Sequence, residues 1–292
     1  MVFIATALQC EAAPIIRACS LKKLNNDLSW SCYGNDSLCL FITGVGPIAA
    51  SAAVSAVLSK YECSKDDCLI NIGSCCEPEG SGDIGSIYLI NKLTDRTTGR
   101  SFYPDMLLRS GLTEREIISS PNPVGRTEAK SFTGEAVHKN PLFDMEAAFI
   151  YQAAKYYLGP SQISFLKIVS DNGIALDDSP NERQNLALLA KRTEELIEEK
   201  TEQIKLYISS ISEAADDNKS LPGYEKTDEL AADFKCSKVM KDSLLQLQKY
   251  AEIAGADYRA VLAKFYSEER LPVKSKKDGL KLLAELKSRL LK

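Results

Sequence analysis

At 292 residues the chain can hold one large domain or a domain with an appendage, and its 45% apolar and 26% charged content is ordinary for a soluble globular protein. A net charge of −4 gives no general case for nucleic-acid binding, and no stretch approaches the run of about 18 apolar residues that a membrane helix needs. Nine cysteines behind an N-terminus without a basic signal-peptide region point to a reducing cytosol, and with His138 as the sole histidine neither a zinc site nor a His-based catalytic triad is expected.

Val2 to Leu8 reads as a first buried strand, followed by Gln9-Cys10-Glu11 and a helix over about 12–18. Trp30–Tyr33 and Leu38–Thr43 form a predicted hairpin across Gly34-Asn35-Asp36. Gly44-Val45-Gly46 then leads into an Ala-rich helix, with Pro47 at its first position. Two glycines without a third are not a dinucleotide fingerprint. Cys68–Ile72 is the next buried strand and ends in Gly73-Ser74. Gly80, Gly82 and Gly85 punctuate a loop before a strand over Ser86–Ile90. Residues 92–140 are polar and loop-rich, with a short strand at Glu116–Ser119.

Leu142 to Asp171 carries the densest pattern. Asp144 is a plausible helix N-cap, Met145, Phe149, Ala153 and Tyr156 recur at helical spacing, and Gly159-Pro160 ends the helix. Ser161–Val169 reads as a buried strand that stops at Ser170-Asp171. A long amphipathic helix is expected over about 181–212, then a linker at Asp216–Lys226. Three or four short helices follow, over about 228–234, 237–254, 257–267 and 277–291. Their expected core is Leu244, Leu247, Tyr250, Ile253, Val261, Phe265, Leu280, Leu283 and Leu286. The last helix region carries seven basic residues against Asp278 and Glu285; it reads either as a solvated face, the favoured reading, or as a contact for RNA, DNA or an acidic partner.

Read alone, Glu146 fits a first-turn acid favoured by the helix dipole and Asp171 a turn residue. Taken together, the strand ends offer small residues beside three carboxylates, Glu11, Glu146 and Asp171. Paired carboxylates on opposite sides of a glycosidic bond are the general means of cleaving it.

At these segments the chain resembles the nucleoside phosphorylase-I family, and within it the methylthioadenosine/S-adenosylhomocysteine nucleosidases. The segments are ATALQCEAAPII, FITGVGPIAASAAV, NIGSCCEPEGSGDIGSI, FDMEAAFI and KIVSDNG, in that order, over about residues 2–210. The resemblance implies an α/β fold of three layers, α/β/α, with a central mixed sheet over residues 1–215. A small all-α appendage over 224–292 has no counterpart in it. It also implies hydrolysis of the N-glycosidic bond of a purine-type nucleoside, such as a 5′-substituted adenosine, without a cofactor, by a homo-oligomer, most simply a dimer.

By the same resemblance Glu11 orients and deprotonates water, and Asp171 is the general acid, steadied by Ser170. Met145 and Glu146 hold the ribose, Ser74 lies near the water or an anion, and Gly44 belongs to the substrate-binding turn. The phosphorylases' phosphate-clamping Arg corresponds to Asn71, which favours water as nucleophile over the phosphorolytic alternative. Cys75-Cys76-Glu77 stands where the family keeps small residues, and the base-stacking Phe falls on Pro123. Those departures, with the added tail, leave open a non-catalytic nucleoside-binding module that engages a partner through its helices.

Overall fold

The computed structural model describes residues 1–61, 63–64, 66–77, 84–108, 110–124, 141–173, 182–220, 227–254 and 256–290. Four strands run parallel: β1 (Val2–Thr6), β4 (Leu38–Ile42), β5 (Cys68–Cys76) and β10 (Ile163–Asp171), in the order β4-β1-β5-β10. A hairpin edge extends them through β3 (Cys32–Gly34) and β2 (Lys22–Lys23). On the other side, β6 (Ile87–Asp95), β8 (Thr113–Ser119) and β9 (Leu142–Asp144) return to β5, and β7 (Ser101–Phe102) pairs with β6. Because β10 pairs with both β5 and β6, the strands β5-β10-β6-β8-β9 close on themselves. The sheet is mixed, since β6 runs antiparallel to β10, and β9 antiparallel to β5.

Alternation along each strand divides the core into two layers. Phe3, Ala5, Cys39, Phe41 and Leu69 pack with α2 (Pro47–Lys60) and α3 (Ala147–Ala154). Val2, Ile4, Leu38, Leu40 and Ile70 pack with α1 (Gln9–Ala18) and α4 (Glu182–Ser220). The result is a three-layer α/β/α sandwich, as the resemblance implied.

Several local expectations change. The strands β5 and β6 run on to Cys76 and Asp95, because pairing with β10 and β8 continues the ladder past Gly73-Ser74 and Lys92. The strand β9 was hidden, being only three residues long and directly before a helix. That helix, α3, buries Ala147, Ala148, Ile150, Tyr151, Ala153 and Ala154, whereas Tyr156 lies beyond its end and is 80% exposed. Helix α4 continues to Ser220, into the stretch expected to be a linker. The Gly80–Gly82 loop, His138 and the residues after Gly173 up to Asn181 lie outside the described residues.

The chain divides into two compact units, Met1–Asp216 and Asp217–Lys292. The second holds α5 (Thr227–Asp233), α6 (Lys238–Ala254), α7 (Tyr258–Ser267) and α8 (Lys276–Leu290) around Phe234, Leu244, Phe265 and Leu286. Tyr250 and Leu280, expected in that core, are exposed instead, and the Ile253 side chain is outside the described residues. Among the described residues no helix is long and apolar enough to cross a membrane.

Candidate functional site

The four parallel strands point the same way, so their carboxyl ends gather at one rim of the sheet. Residues that follow or end them line a single cavity of about 390 Å³: Ala7, Leu8 and Glu11 after β1, Val45 after β4, Ser74 to Cys76 on β5, and Ser170-Asp171 on β10. Residues 143–146 enter from the junction of β9 and α3.

Glu11, in the first turn of α1, is 2% exposed. Its Oε2 accepts from the backbone N–H groups of Ala7 (2.9 Å) and Leu8 (3.0 Å). Its Oε1 accepts from both the backbone N–H and the hydroxyl of Ser74, each at 2.7 Å. Four donors thus lock one carboxylate between β1 and β5. Gly73 makes this approach possible, because a Cβ there would sit 3.1 Å from Glu11 Oε1.

Glu146 sits at the N-terminus of α3, where Oε1 accepts from Gly46 N (2.8 Å). Gly46 itself opens α2 at φ +91, a conformation that side chains rarely adopt, so the glycine turn aims that N–H at the carboxyl. Gly44 (φ +83) shapes the same turn, but Val45 rather than Gly44 lines the cavity. Burial, then the nearby Asp144 carboxylate, push Glu146 up from 4.5 to about 7.

Behind Glu146 lies a buried ion pair. Lys167 Nζ contacts Asp144 Oδ2 at 2.8 Å, with both side chains almost wholly buried. Burial opposes the charge on Lys167, but Asp144, Glu146 and Glu11 outweigh it and raise the lysine above its ordinary range. Asp144 also accepts from the Ser119 hydroxyl (2.5 Å) and from Ala147 N (2.9 Å), while that hydroxyl accepts from Ala148 N (2.9 Å). The N-cap of α3 is therefore Glu146 rather than Asp144 as expected; Asp144 ends β9 and from there accepts from the first N–H of the helix while holding a buried cation.

Asp171 ends β10 just past an irregularity in its register with β5. Its Oδ2 accepts from the Ser170 hydroxyl (2.8 Å) and its Oδ1 from Gly173 N (2.9 Å). Ladder partners place Phe143, Cys76 and Asp171 side by side across β9, β5 and β10, and all three line the cavity. Pro123, Val124, Leu186 and Leu189 complete an apolar wall. One end of the cavity is therefore polar, around Glu11, Ser74 and Glu146, and the region beside Asp171 is largely apolar.

Solved structures provide the comparison. A 5′-methylthioadenosine nucleosidase from Arabidopsis thaliana is 20% identical, covers 70% of this chain and 94% of its own, and superposes with a TM-score of 0.54. The 5′-methylthioadenosine/S-adenosylhomocysteine nucleosidase from Neisseria meningitidis, in complex with methylthio-immucillin-A, is 18% identical, covers 70% and 98%, and gives 0.53. Futalosine hydrolase from Helicobacter pylori is 14% identical, covers 71% and 97%, and gives 0.56. The fold is that of the nucleosidases. No protein-family model matches the chain, and no curated protein matches its sequence.

Within this nucleosidase fold, Glu11, Ser74, Met145, Glu146, Ser170 and Asp171 all line the one cavity. Pro123 lines it too, so the position expected to carry a stacking aromatic holds a small ring, while Phe143 supplies an aromatic from β9. Sequence reasoning missed Phe143, Lys167 and Ser119. Lys167 did leave a signal: a lysine in the middle of a largely apolar strand is rarely buried unless paired.

Proposed function

We propose that the protein is a nucleosidase that hydrolyses the N-glycosidic bond of a purine-type nucleoside, adenosine-derived and 5′-substituted, as in methylthioadenosine. The observation that carries this reading is the convergence of Glu11, Glu146 and Asp171 on one cavity with a polar and an apolar part. Cleavage passes through an oxocarbenium-like sugar and needs a neutralised leaving base. Asp171, steadied by Ser170 and Gly173, donates a proton to the ring nitrogen of a base lying against Phe143 and Cys76. Glu146 accepts from ribose hydroxyls through the oxygen not taken by Gly46, and Met145 packs under the sugar. Leu8 and Val45 supply apolar surface for a 5′ substituent, with the Gly44 turn holding Val45 in place.

Both oxygens of Glu11 already accept two hydrogen bonds, so the attacking water is presented against Ser74. Its proton then passes to Glu11 along the existing Ser74–Glu11 hydrogen bond. Asn71 supports water over phosphate as the nucleophile, because its side-chain amide donates to Ala5 O in the neighbouring strand (3.0 Å). The described residues lining the cavity include four acids and neither Arg nor Lys, which suits a neutral sugar better than a phosphate dianion. A homodimer is the proposed working form; Ile48, 85% exposed in the first turn of α2 beside the Gly46–Glu146 contact, supplies apolar surface for it.

Incubating the protein with purine nucleosides, with and without phosphate, tests the proposal. Free base and free sugar should form in both conditions. Strict dependence on phosphate would transfer the reading to phosphorolysis, and the absence of free base from a folded protein would remove the catalytic claim.

A further inference from the structure

We propose that Glu77 and Arg115 are a positioning pair for Asp171, an inference that rests on the general-acid role given to Asp171 above. Glu77 is the charged residue that directly follows β5, and it does not line the cavity. Its side chain is buried and accepts from Arg115 Nη2 at 2.8 Å. Arg115 comes from β8, and β9 lies between that strand and β5. The guanidinium also lies 4.9 Å from the centre of the Tyr88 ring, so it is held by an aromatic face as well as by the carboxylate.

The main chain of Glu77 grips the end of β10. Glu77 N donates to Asp171 O (3.0 Å), and the Asn172 side-chain amide donates to Glu77 O (3.1 Å). These two bonds hold the chain at, and immediately after, the residue whose carboxyl must meet the base. They also lie just beyond the register irregularity between Val169 and Asp171, where the ladder alone no longer fixes the chain. Anchoring the Glu77 side chain therefore anchors the backbone that aims Asp171.

Stability is a poor explanation for this pair. Glu77 Oε2 is buried without a hydrogen-bond partner among the described residues. Buried pairs that are incompletely satisfied are commonly replaced by apolar residues without loss of stability. Removing only one partner is different, because the remaining buried charge is drawn toward water and pulls the β5 end with it.

The test compares Arg115→Met, Arg115→Lys, Glu77→Gln and the double variant Glu77→Leu/Arg115→Met with the wild type. Arg115→Met should lower kcat about a hundredfold, the loss typical of displacing a reacting group by about 1 Å. KM should stay within about twofold, because sugar binding is untouched. Hydrogen exchange at the Glu77 and Gly173 amides should quicken, and Arg115→Lys should recover part of kcat. The double variant should melt at the wild-type temperature yet keep the low kcat. Wild-type kcat and exchange in the double variant would overturn the proposal, as would kcat, KM and melting temperature falling in step across the series. Should the wild type cleave no nucleoside, exchange still decides: faster exchange upholds the clamp while the catalytic reading falls, and unchanged exchange overturns the clamp as well.

Discussion

The two units of the chain treat charge in opposite ways. In Met1–Asp216 the interior holds Glu11, Glu77, Asp95, Asp144, Glu146 and Lys167, whereas in Asp217–Lys292 the buried polar residue among those described is Gln248. Two ion pairs of the second unit, Arg270 and Arg289 with Glu285, lie near its surface around the face of Phe265. Overall charge differs too: the first unit has 20 basic and 28 acidic residues, the second 16 and 12. Burying an ion is costly unless it is paired and hydrogen-bonded. The helical unit, among its described residues, avoids that cost, whereas the first unit carries it, with Glu11, Asp144 and Glu146 lining one cavity. The contrast marks where chemistry is located.

Breaking that contrast should have its largest effect at the acid. Asp171→Asn should lower base release by about 10²–10⁴-fold, the range of general-acid contributions, with unfolding unchanged. Lys167→Met comes next. It leaves Asp144 buried without its cation and should cost about 3–5 kcal/mol of stability in denaturant unfolding. Arg270→Met, at the half-exposed pair of the other unit, should move the same measurement far less. Leu244→Ala, in the core of the second unit, should cost that unit about 2–5 kcal/mol while nucleoside cleavage stays at the wild-type rate.

A smaller effect is expected from pH. Folded, Glu146 keeps its proton up to about pH 7, whereas the unfolded chain releases it near 4.5. Between those values the folded state binds more protons, so the contribution of Glu146 to stability is full below about pH 4.5 and declines as pH rises to 7. Glu146→Gln should remove that slope from a stability–pH profile. For the wild type, KM should rise as pH falls below 7, because a neutral carboxyl accepts ribose hydroxyls less well. Smallest is Phe143→Leu, which removes a ring beside the base and should raise KM about fivefold, near 1 kcal/mol, with kcat less affected.

Much of this was legible before any coordinates. Read alone, Glu146 and Asp171 look like an ordinary first-turn acid and a turn residue; it is the resemblance of five ordered segments to a known family that singles them out together with Glu11. Other features were hidden for physical reasons. The strand β9 is too short for its alternation to be seen, and β5 reaches Cys76 only because β10 pairs with it. Helix α3 was read with Phe149 and Tyr156 on its buried face, but close packing against α2 favours the small residues Ala147, Ala148 and Ala154. In the helical unit, Tyr250 and Leu280 fit an apolar stripe yet face water, because a helix surrounded by few neighbours buries only part of such a stripe.

The sequence by itself determined the main buried strands, the glycine turns and the presence of acids beside them, since each depends on residues a few positions apart. Tertiary structure decided which groups meet. Ser74 reaches Glu11 across 63 residues, Glu146 takes its hydrogen bond from a glycine 100 residues away, and Glu77 finds Arg115 across 38. No periodicity encodes such contacts. They exist because closing β5, β10, β6, β8 and β9 on themselves brings distant strand ends to one rim, where a charge must find its partner to stay buried.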